Sequence, residues 1–165
     1  MDAWINRKIQ EESFKPARVA LGREPAPSPE YADWIANRRE VVRDLLTSES
    51  TRPAIIDPDG TVTLYRGAGN APENGQLAVR ELSSWSDNPV IASGYGPHVV
   101  KAKIPVEDVW GWHGQSDAIA RSNKAPEREW VILSGSGARP VEVLPEGALE
   151  AELRARMPRL HRPKR

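Results

Sequence analysis

The pattern of apolar and polar positions divides the chain into a helical first part and a strand-rich second part. A helix can begin after Ser28 and run to about Leu46. Ser28 is a suitable N-cap, Pro29 is tolerated in the first turn, and Glu30 is favoured there by the helix dipole. The apolar residues of this stretch fall on one stripe of a helix: Tyr31, Trp34, Ile35, Val42, Leu45 and Leu46. The pattern therefore predicts one long helix.

The residues before this helix predict shorter elements. Trp4, Ile5 and Ile9 recur at helical spacing, which indicates a short N-terminal helix. The segment KPARVALGREPAPSP follows, and because it contains four prolines we expect it to be a largely extended connector. Residues 1–50 are thus predicted to form an N-terminal helical region that packs on the rest of the chain.

From Thr51 onward, short runs of β-forming residues alternate with turn residues. The predicted strands are TVTLYRG, RELSSWS, HVVKAKIP, REWVILSG and RPVEVLP, and SGSGARP is expected to form a hairpin turn. Between the second and third runs, DNPVIASGYG predicts a short helix with Asp87 or Asn88 as its cap and Pro89 in its first turn. Residues 51–150 are therefore expected to form a β-rich core, and the whole chain a single domain.

Composition narrows the classes of function. A chain of 165 residues with 23 basic and 23 acidic residues predicts one domain with no general attraction to a polyanion or to a membrane. It has no cysteine, which excludes disulfides, thiolate metal sites and cysteine nucleophiles. The first residues contain no apolar run of the length that a signal peptide needs. We therefore expect a cytoplasmic protein, or one delivered into the cytoplasm of a target cell without a signal peptide.

Basic residues dominate the end of the chain. The stretch from 154 onward has no acidic residue and carries Arg154, Arg156, Arg159, Arg162, Lys164 and Arg165. Such a run is typical of a frayed, solubilising tail, which we predict for residues 151–165. It is also the one segment whose charge suits binding to nucleic acid.

Several catalytic motifs are absent from the sequence. The glycines of YRGAGN lack the third glycine and the following helix of a dinucleotide-binding turn, and no Walker-type lysine is present. No serine lies in a G-x-S-x-G motif. The sequence has three histidines, His98, His113 and His161, whose spacing is not that of a metal site. We therefore expect no bound metal.

The strand TLYRG places an arginine at the end of an apolar row. Alternation puts Val62, Leu64 and Arg66 on one face, beside Gly67 and Gly69, which leave room for a ligand to approach the backbone. A strand-end arginine is most often the partner in a surface ion pair. Alone, it does not indicate a ligand.

Two further strands carry polar side chains where apolar ones are usual. In LSSWS, Ser84 and Ser86 share one face and Trp85 lies on the other. In PEREWVIL, Glu127 and Glu129 fall on one side before an apolar stretch if the strand already begins at Glu127. Serine pairs in strands are usually satisfied or solvent-facing, and an E-x-E at this position usually protects the strand from aggregation. Three such strands in the order Arg, Ser-x-Ser, Glu-x-Glu favour a common site.

This ordered set resembles the mono-ADP-ribosyltransferases of the arginine-serine-glutamate class. The likeness covers about residues 61–135 and rests on these positions: Arg66, Ser84-Trp85-Ser86, Glu127-Arg128-Glu129, and, in the helix after the serines, Val90, Ala92 and Tyr95. The resemblance implies an α+β fold in which two small, mainly antiparallel sheets form an NAD cleft, preceded by N-terminal helices. The sequence departs from the family at Trp85, where threonine is common, and at Leu82, where an aromatic residue often stands.

The family cleaves the nicotinamide–ribose bond of NAD, a co-substrate, and transfers ADP-ribose to an acceptor. The resemblance implies that Glu129 is the catalytic carboxylate, that Ser84 holds it and the ribose, and that Arg66 binds the pyrophosphate through fork-like hydrogen bonds. Glu127 matches the second glutamate of arginine-specific members. An arginine side chain of a target protein is therefore the leading acceptor, as for a toxin or a phage effector.

Other contacts with NAD are implied for residues around the serines and the glycines, namely Gly67, Trp85, Ser86 and Tyr95. Trp85 and Tyr95 are candidates to contact nicotinamide, although a place in the core explains each of them equally well. Acceptor recognition is expected in the loop from about Gly114 to Pro126, which includes Gln115, Ser116 and Arg121.

Two other functions stay open from the sequence. The protein is an NAD glycohydrolase if water takes the place of the acceptor. It is a catalytically silent module on the same fold if it only binds NAD, or nucleic acid through its basic tail. The sequence predicts no membrane partner and no particular oligomeric state.

Overall fold

The computed structural model describes residues 14–113 and 128–160, without the side chains of 157–160, and shows an α+β fold. The helices are α1 (residues 14–20), α2 (Pro29–Thr47), α3 (Pro89–Ala92) and α4 (Leu149–Leu160). The strands are β1 (Thr61–Ala68), β2 (Gln76–Ala78), β3 (Leu82–Ser86), β4 (His98–Pro105), β5 (Val109–Trp112), β6 (Glu129–Leu133), β7 (Ala138–Pro140) and β8 (Glu142–Val143).

The strands form an antiparallel sheet of six in the order β5-β6-β3-β1-β4-β8, and β2 and β7 form a separate two-stranded sheet. β1 pairs with β4 along its whole length, and β3 pairs with β6 in the same way. By contrast, β1 and β3 share the single pair Tyr65–Ser86. The large sheet therefore consists of two halves, β5-β6-β3 and β1-β4-β8, that meet at one point. The described residues thus form one six-stranded sheet and one two-stranded sheet, and an NAD cleft formed by two small sheets stays a prediction.

Apolar residues cover both faces of β1. Val62 and Leu64 belong to the main core, which also contains Trp85 and Trp130 of the other half-sheet and two residues of α2, Val42 and Leu46. Tyr65 points the opposite way and packs with residues of α3, β4 and the chain after β8: Ala92, Val99 and Leu144. Because both faces are covered, all four residues from 62 to 65 are buried.

The long helix predicted from the apolar stripe is confirmed as α2. The Ser28 hydroxyl accepts a hydrogen bond from the Tyr31 backbone N–H at 3.1 Å, as an N-cap should. Three residues of the stripe are buried, Ile35, Val42 and Leu46. Trp34, however, is exposed and packs edge-on against Tyr31 and Trp110.

The predicted strands are confirmed as β1, β3, β4 and β6 and, for RPVEVLP, as β7 and β8. Two strands were not predicted, because β2 is very short and β5 is buried at every position and shows no alternation. The hairpin at SGSGARP is wrong. β6 pairs with β3 and β5, whereas β7 pairs with β2, so this turn carries the chain from one sheet to the other.

The extended connector predicted for residues 15–29 is wrong for residues 15–20, which belong to helix α1. Of the four prolines in this segment only Pro16 lies in the helix, and the other three follow its end. Ala17 is fully buried against Ile35, Trp110 and Leu133, so tertiary packing stabilises the helix despite the proline. Trp4, Ile5 and Ile9 lie outside the described residues.

The frayed tail predicted from residue 151 is also wrong up to residue 160, because this stretch belongs to α4. Glu152 faces the sheet, and its carboxylate accepts a hydrogen bond from the Tyr65 hydroxyl at 2.6 Å. The basic residues from 161 onward lie outside the described part of the chain. None of the described helices combines the length and the apolar character that crossing a membrane requires.

Candidate active site

A cleft with a volume of about 360 Å³ opens at the place where β1 and β3 part. It is lined by every predicted site residue that the structure describes, together with Tyr65 and Ala92; those predicted residues are Arg66, Gly67, Ser84, Trp85, Ser86, Tyr95 and Glu129. Pockets of about 300–1,000 Å³ are the usual size for small-ligand sites. The structure therefore brings Arg66, the serine motif and Glu129 to one ligand-sized space.

Ser84 and Glu129 meet across the β3–β6 ladder. Ser84 lies opposite Val131 and Ser86 lies opposite Glu129, so Ser84 and Glu129 are diagonal neighbours on one face of the sheet. The Ser84 hydroxyl donates a hydrogen bond to Oε1 of Glu129. This contact orients the carboxylate, while the other carboxylate oxygen can still accept a hydrogen bond from a ligand.

Arg66 reaches the same cleft from β1. Its guanidinium donates a hydrogen bond to the Ser84 carbonyl oxygen at 2.6 Å, which ties the end of β1 to the middle of β3. Burial, and then the nearby charge of Arg80, lower the pKa of Arg66, but a guanidinium stays protonated at neutral pH. It has five N–H donors, so a bond to one carbonyl does not use its full capacity. A partly buried cation of this kind suits an anionic ligand.

The two neighbours of Ser84 in the motif, Trp85 and Ser86, have structural contacts. The Trp85 side chain is 2% exposed and donates through Nε1 to the Ser83 hydroxyl at 2.8 Å. It is a core side chain, which leaves little of the indole for nicotinamide. The Ser86 hydroxyl is buried and accepts a hydrogen bond from the Asn88 N–H at 3.1 Å. Of the two aromatic candidates, Tyr95 is the accessible one, at 62% exposure.

Gly67 is required by the packing of the chain against itself. A Cβ at this position would lie 2.3 Å from the Ala92 carbonyl oxygen, and one at Gly96 would lie 2.6 Å from the Ala68 carbonyl carbon. These glycines let the segment that begins with α3 rest directly on β1, which is a different reason from the ligand approach expected from the sequence. Gly69 has open space around its Cβ position.

A buried carboxylate that was not predicted as a site residue lies next to the serine motif. Asp87 is 2% exposed and accepts hydrogen bonds from the Arg128 guanidinium, whose Nη2 lies at 3.1 Å, and from Trp130 Nε1 at 3.1 Å. His113 Nε2 lies 3.0 Å from the same carboxylate. Burial raises the pKa of Asp87, but the hydrogen bonds and charges of His113 and Arg128 outweigh it, and the pKa is lowered. Asp87 is therefore ionised at neutral pH.

The sequence showed Asp87 only as one of two possible helix caps. The cap is Asn88, whose Oδ1 accepts from the N–H groups of Val90 and Ile91. A helix needs only one cap, so Asp87 was left without a local hydrogen-bonding role. A second polar residue at this position indicated a contact elsewhere in the fold.

A second carboxylate stabilises the opposite side of the cleft. Glu152 of α4 accepts hydrogen bonds from the Tyr65 hydroxyl at 2.6 Å and from Lys101 Nζ at 3.1 Å, and the Arg156 guanidinium lies 5.5 Å from the centre of the Tyr65 ring. Burial and the hydrogen bond to Glu152 raise the pKa of Tyr65, so its hydroxyl stays a donor. Burial raises the pKa of Glu152 too, but its bonds with Tyr65 and Lys101 outweigh this and lower it.

Several predicted residues lie outside the described residues: Glu127, Gln115, Ser116 and Arg121. Within the described ranges, no group of three His, Asp or Glu side chains is arranged to hold a metal ion. Comparisons with protein-family models, with curated proteins and with solved structures find no match to this chain. What the site can do chemically therefore follows from its own residues: a fixed cation, and a carboxylate oriented by a hydroxyl, in one cleft.

Proposed function

We propose that this protein is a mono-ADP-ribosyltransferase, which cleaves NAD between nicotinamide and ribose and passes ADP-ribose to an acceptor. One observation carries the proposal: Arg66, Ser84 and Glu129, from three strands, are joined by hydrogen bonds in a single cleft. NAD has an anionic pyrophosphate and hydroxyl-bearing riboses, which match the cation and the carboxylate of this cleft. The two half-sheets that part at the cleft support an ADP-ribosyltransferase-like fold.

Arg66 is the residue we assign to the pyrophosphate. A guanidinium can bind two phosphate oxygens at once through parallel N–H donors, and partial burial strengthens these charge-assisted bonds. Its hydrogen bond to the Ser84 carbonyl holds the guanidinium at the cleft that Glu129 also lines. A ligand that fills this cleft can therefore place an anionic group at Arg66 and a sugar hydroxyl at Glu129.

Glu129 is the residue we assign to bond cleavage. As the C–N bond of the nicotinamide ribose breaks, the bonding electron pair leaves with nicotinamide and positive charge develops on the ribose. A carboxylate that accepts a hydrogen bond from a ribose hydroxyl stabilises this oxocarbenium-like state. The Ser84 hydroxyl holds the carboxylate in one orientation before the reaction begins, which lowers the reorganisation needed in the transition state.

An arginine side chain is the acceptor we propose, with Glu127 as the residue that receives it. A guanidinium nitrogen forms the new bond to the ribose carbon and releases one proton, which the Glu127 carboxylate can take. When water attacks instead, the product is free ADP-ribose and the reaction is NAD hydrolysis.

The first test measures nicotinamide release and labelling of protein or a free guanidino compound with labelled NAD. The Glu129→Gln variant keeps the shape of the side chain but removes its negative charge, and we expect both rates to fall about 100-fold or more. A matched control is Glu146→Gln, at an exposed position before α4, which should leave both rates unchanged. Full activity of Glu129→Gln would remove Glu129 from the assigned role.

A second measurement separates transfer from hydrolysis. Mass spectrometry of cells that express the protein detects added ADP-ribose on proteins or nucleic acids. Nicotinamide release that Glu127→Ala leaves undiminished, with no modified acceptor, would identify a glycohydrolase. Calorimetry that shows no binding of NAD, together with salt-sensitive binding of DNA or RNA, would instead identify a silent binding module.

A further inference from the structure

The two sequence neighbours of Glu129 both bind the carboxylate of Asp87. Arg128, immediately before Glu129, and Trp130, immediately after it, both donate hydrogen bonds to Asp87. Trp130 follows Glu129 within β6, and because alternate side chains of a strand point to opposite sides, its bond to Asp87 directs Glu129 to the other side. That side is the one from which the Ser84 hydroxyl donates to Glu129. Arg128 precedes the strand, and its bond to Asp87 fixes the backbone where β6 begins.

The backbone at Arg128 needs such an anchor. Arg128 has a φ of 48°, in the left-handed region that residues with a Cβ seldom adopt. An unfavourable conformation of this kind persists only when surrounding contacts hold it. Asp87 supplies them through two guanidinium donors, and because Asp87 is almost fully buried it offers a fixed point.

Asp87 is itself tied to the serine motif and to the neighbouring strand. It directly follows Ser86, which lies opposite Glu129 in the ladder. His113, at the end of β5, contacts the Asp87 carboxylate through its ring and donates its backbone N–H to the Glu129 carbonyl at 2.9 Å. The backbone and both sequence neighbours of Glu129 are therefore connected to one aspartate.

We propose that Asp87 and Arg128 are positioning residues for Glu129. Asp87 holds Arg128 in the left-handed conformation, and this fixes the direction in which the Glu129 carboxylate enters the cleft. The catalytic consequence rests on the proposed function, whereas the effect on the Glu129 carboxylate does not. Neither residue lines the cleft, so the pair acts on the reaction through Glu129.

Arg128→Gly is the sharpest variant, because glycine adopts the left-handed conformation freely but cannot bind Asp87. We expect kcat for NAD cleavage to fall about tenfold, with KM for NAD within about twofold of wild type, because the NAD-binding Arg66 is untouched. Asp87→Asn should show the same split. Arg128→Lys, which keeps the charge but not the fork, should recover part of kcat.

Asp108→Asn is the matched control. It breaks another partly buried aspartate–arginine pair, with Arg139 at 3.1 Å, whose residues do not line the cleft. Its kcat should equal that of wild type after correction for the folded fraction measured by circular dichroism. An Arg128→Gly enzyme with the kcat of this control overturns the proposal.

A readout without NAD makes the test independent of the proposed function. The ¹³C NMR signal of the Glu129 side-chain carboxyl is assigned by comparison with Glu129→Gln and followed in Arg128→Gly and in the Asp108→Asn control. We expect its chemical shift to change in Arg128→Gly and not in the control. If wild type does not cleave NAD, the proposed function fails and this measurement alone decides. An unmoved Glu129 signal in Arg128→Gly overturns the positioning role.

Discussion

The two walls of the cleft are held in place by different means. Behind the serine–glutamate wall, which is formed by β3 and β6, the side chains of Arg128, Trp130 and His113 converge on the buried carboxylate of Asp87. The arginine wall, formed by β1 and α3, relies on direct backbone packing at Gly67 and Gly96, and on the bond from Tyr65 to Glu152 of α4. The first wall carries the Glu129 carboxylate, whose orientation hydrogen bonds can fix. The second wall determines the shape of the cleft, which depends on close packing of the backbone.

The two carboxylates also differ in burial. The Asp87 side chain is 2% exposed and that of Glu152 is 20% exposed. Water can partly replace a lost partner of Glu152, but it replaces the partners of Asp87 less easily. Loss of Asp87 should therefore lower the free energy of unfolding more than loss of Glu152.

The largest effect is expected for Asp87→Ala. Removal of the carboxylate leaves the Trp130 N–H and the partly buried Arg128 cation without their acceptor, and we expect the free energy of unfolding to fall by about 3–5 kcal/mol. Urea denaturation measures it. Glu152→Ala should lose about 1–2 kcal/mol in the same assay. Equal losses in the two variants would contradict the difference between the walls.

The next effect concerns the packing of the arginine wall. Gly67→Ala places a methyl group against the Ala92 carbonyl oxygen, so α3 must shift, and we expect a loss of about 2–3 kcal/mol. Gly69→Ala is the natural control, because its Cβ position is open, and its stability should stay within about 0.5 kcal/mol of wild type. Thermal unfolding compares them. A tolerated alanine at position 67 would mean that α3 is not packed on β1 as described.

A smaller effect is expected from the bond between β1 and α4. Tyr65→Phe removes one hydrogen bond to an ionised carboxylate, which should cost about 1–2 kcal/mol. A double-mutant cycle with Glu152→Gln isolates the pair. If the two changes add without coupling, the hydrogen bond does not stabilise the helix.

The smallest effect is expected in the dependence of stability on pH. The pKa values of Asp87 and Glu152 are lowered in the folded protein, so each contributes stability that is present above about pH 5 and is lost as the pH falls below about 4. Asp87→Asn removes one of these groups, and its stability should fall less steeply between about pH 5 and pH 3 than that of wild type. Urea midpoints at several pH values measure the two slopes. Parallel curves would show that Asp87 does not contribute to the acid sensitivity.

The sequence was sufficient where a local pattern determines the structure. Ser28 caps α2 as predicted, and Asn88, one of the two caps that the sequence offered, caps α3, because a side-chain acceptor at a helix start is a local requirement. Alternation also placed Ser84 and Glu129 in strands β3 and β6, which proved to be paired. These predictions needed no knowledge of distant contacts.

It was insufficient where a distant contact decides the structure. The apparent tail is a helix because Glu152 meets Tyr65, which is remote from it in the chain. The carboxylate of Asp87 contacts His113 and Arg128, and Gly67 is required because the chain packs there against Ala92. Each of these partners follows from the pairing of strands and the path of the chain, which a single sequence does not reveal.

The single pair Tyr65–Ser86 between the half-sheets bears on the cooperativity of unfolding. Few backbone hydrogen bonds connect the halves, so the shared core of Val62, Trp85 and Trp130 carries most of their coupling. Amide hydrogen exchange should then report two partly independent units with the cleft along their boundary. A ligand that contacts both Arg66 and Glu129 acts as a removable cross-link between these units, and its binding would make them unfold as one.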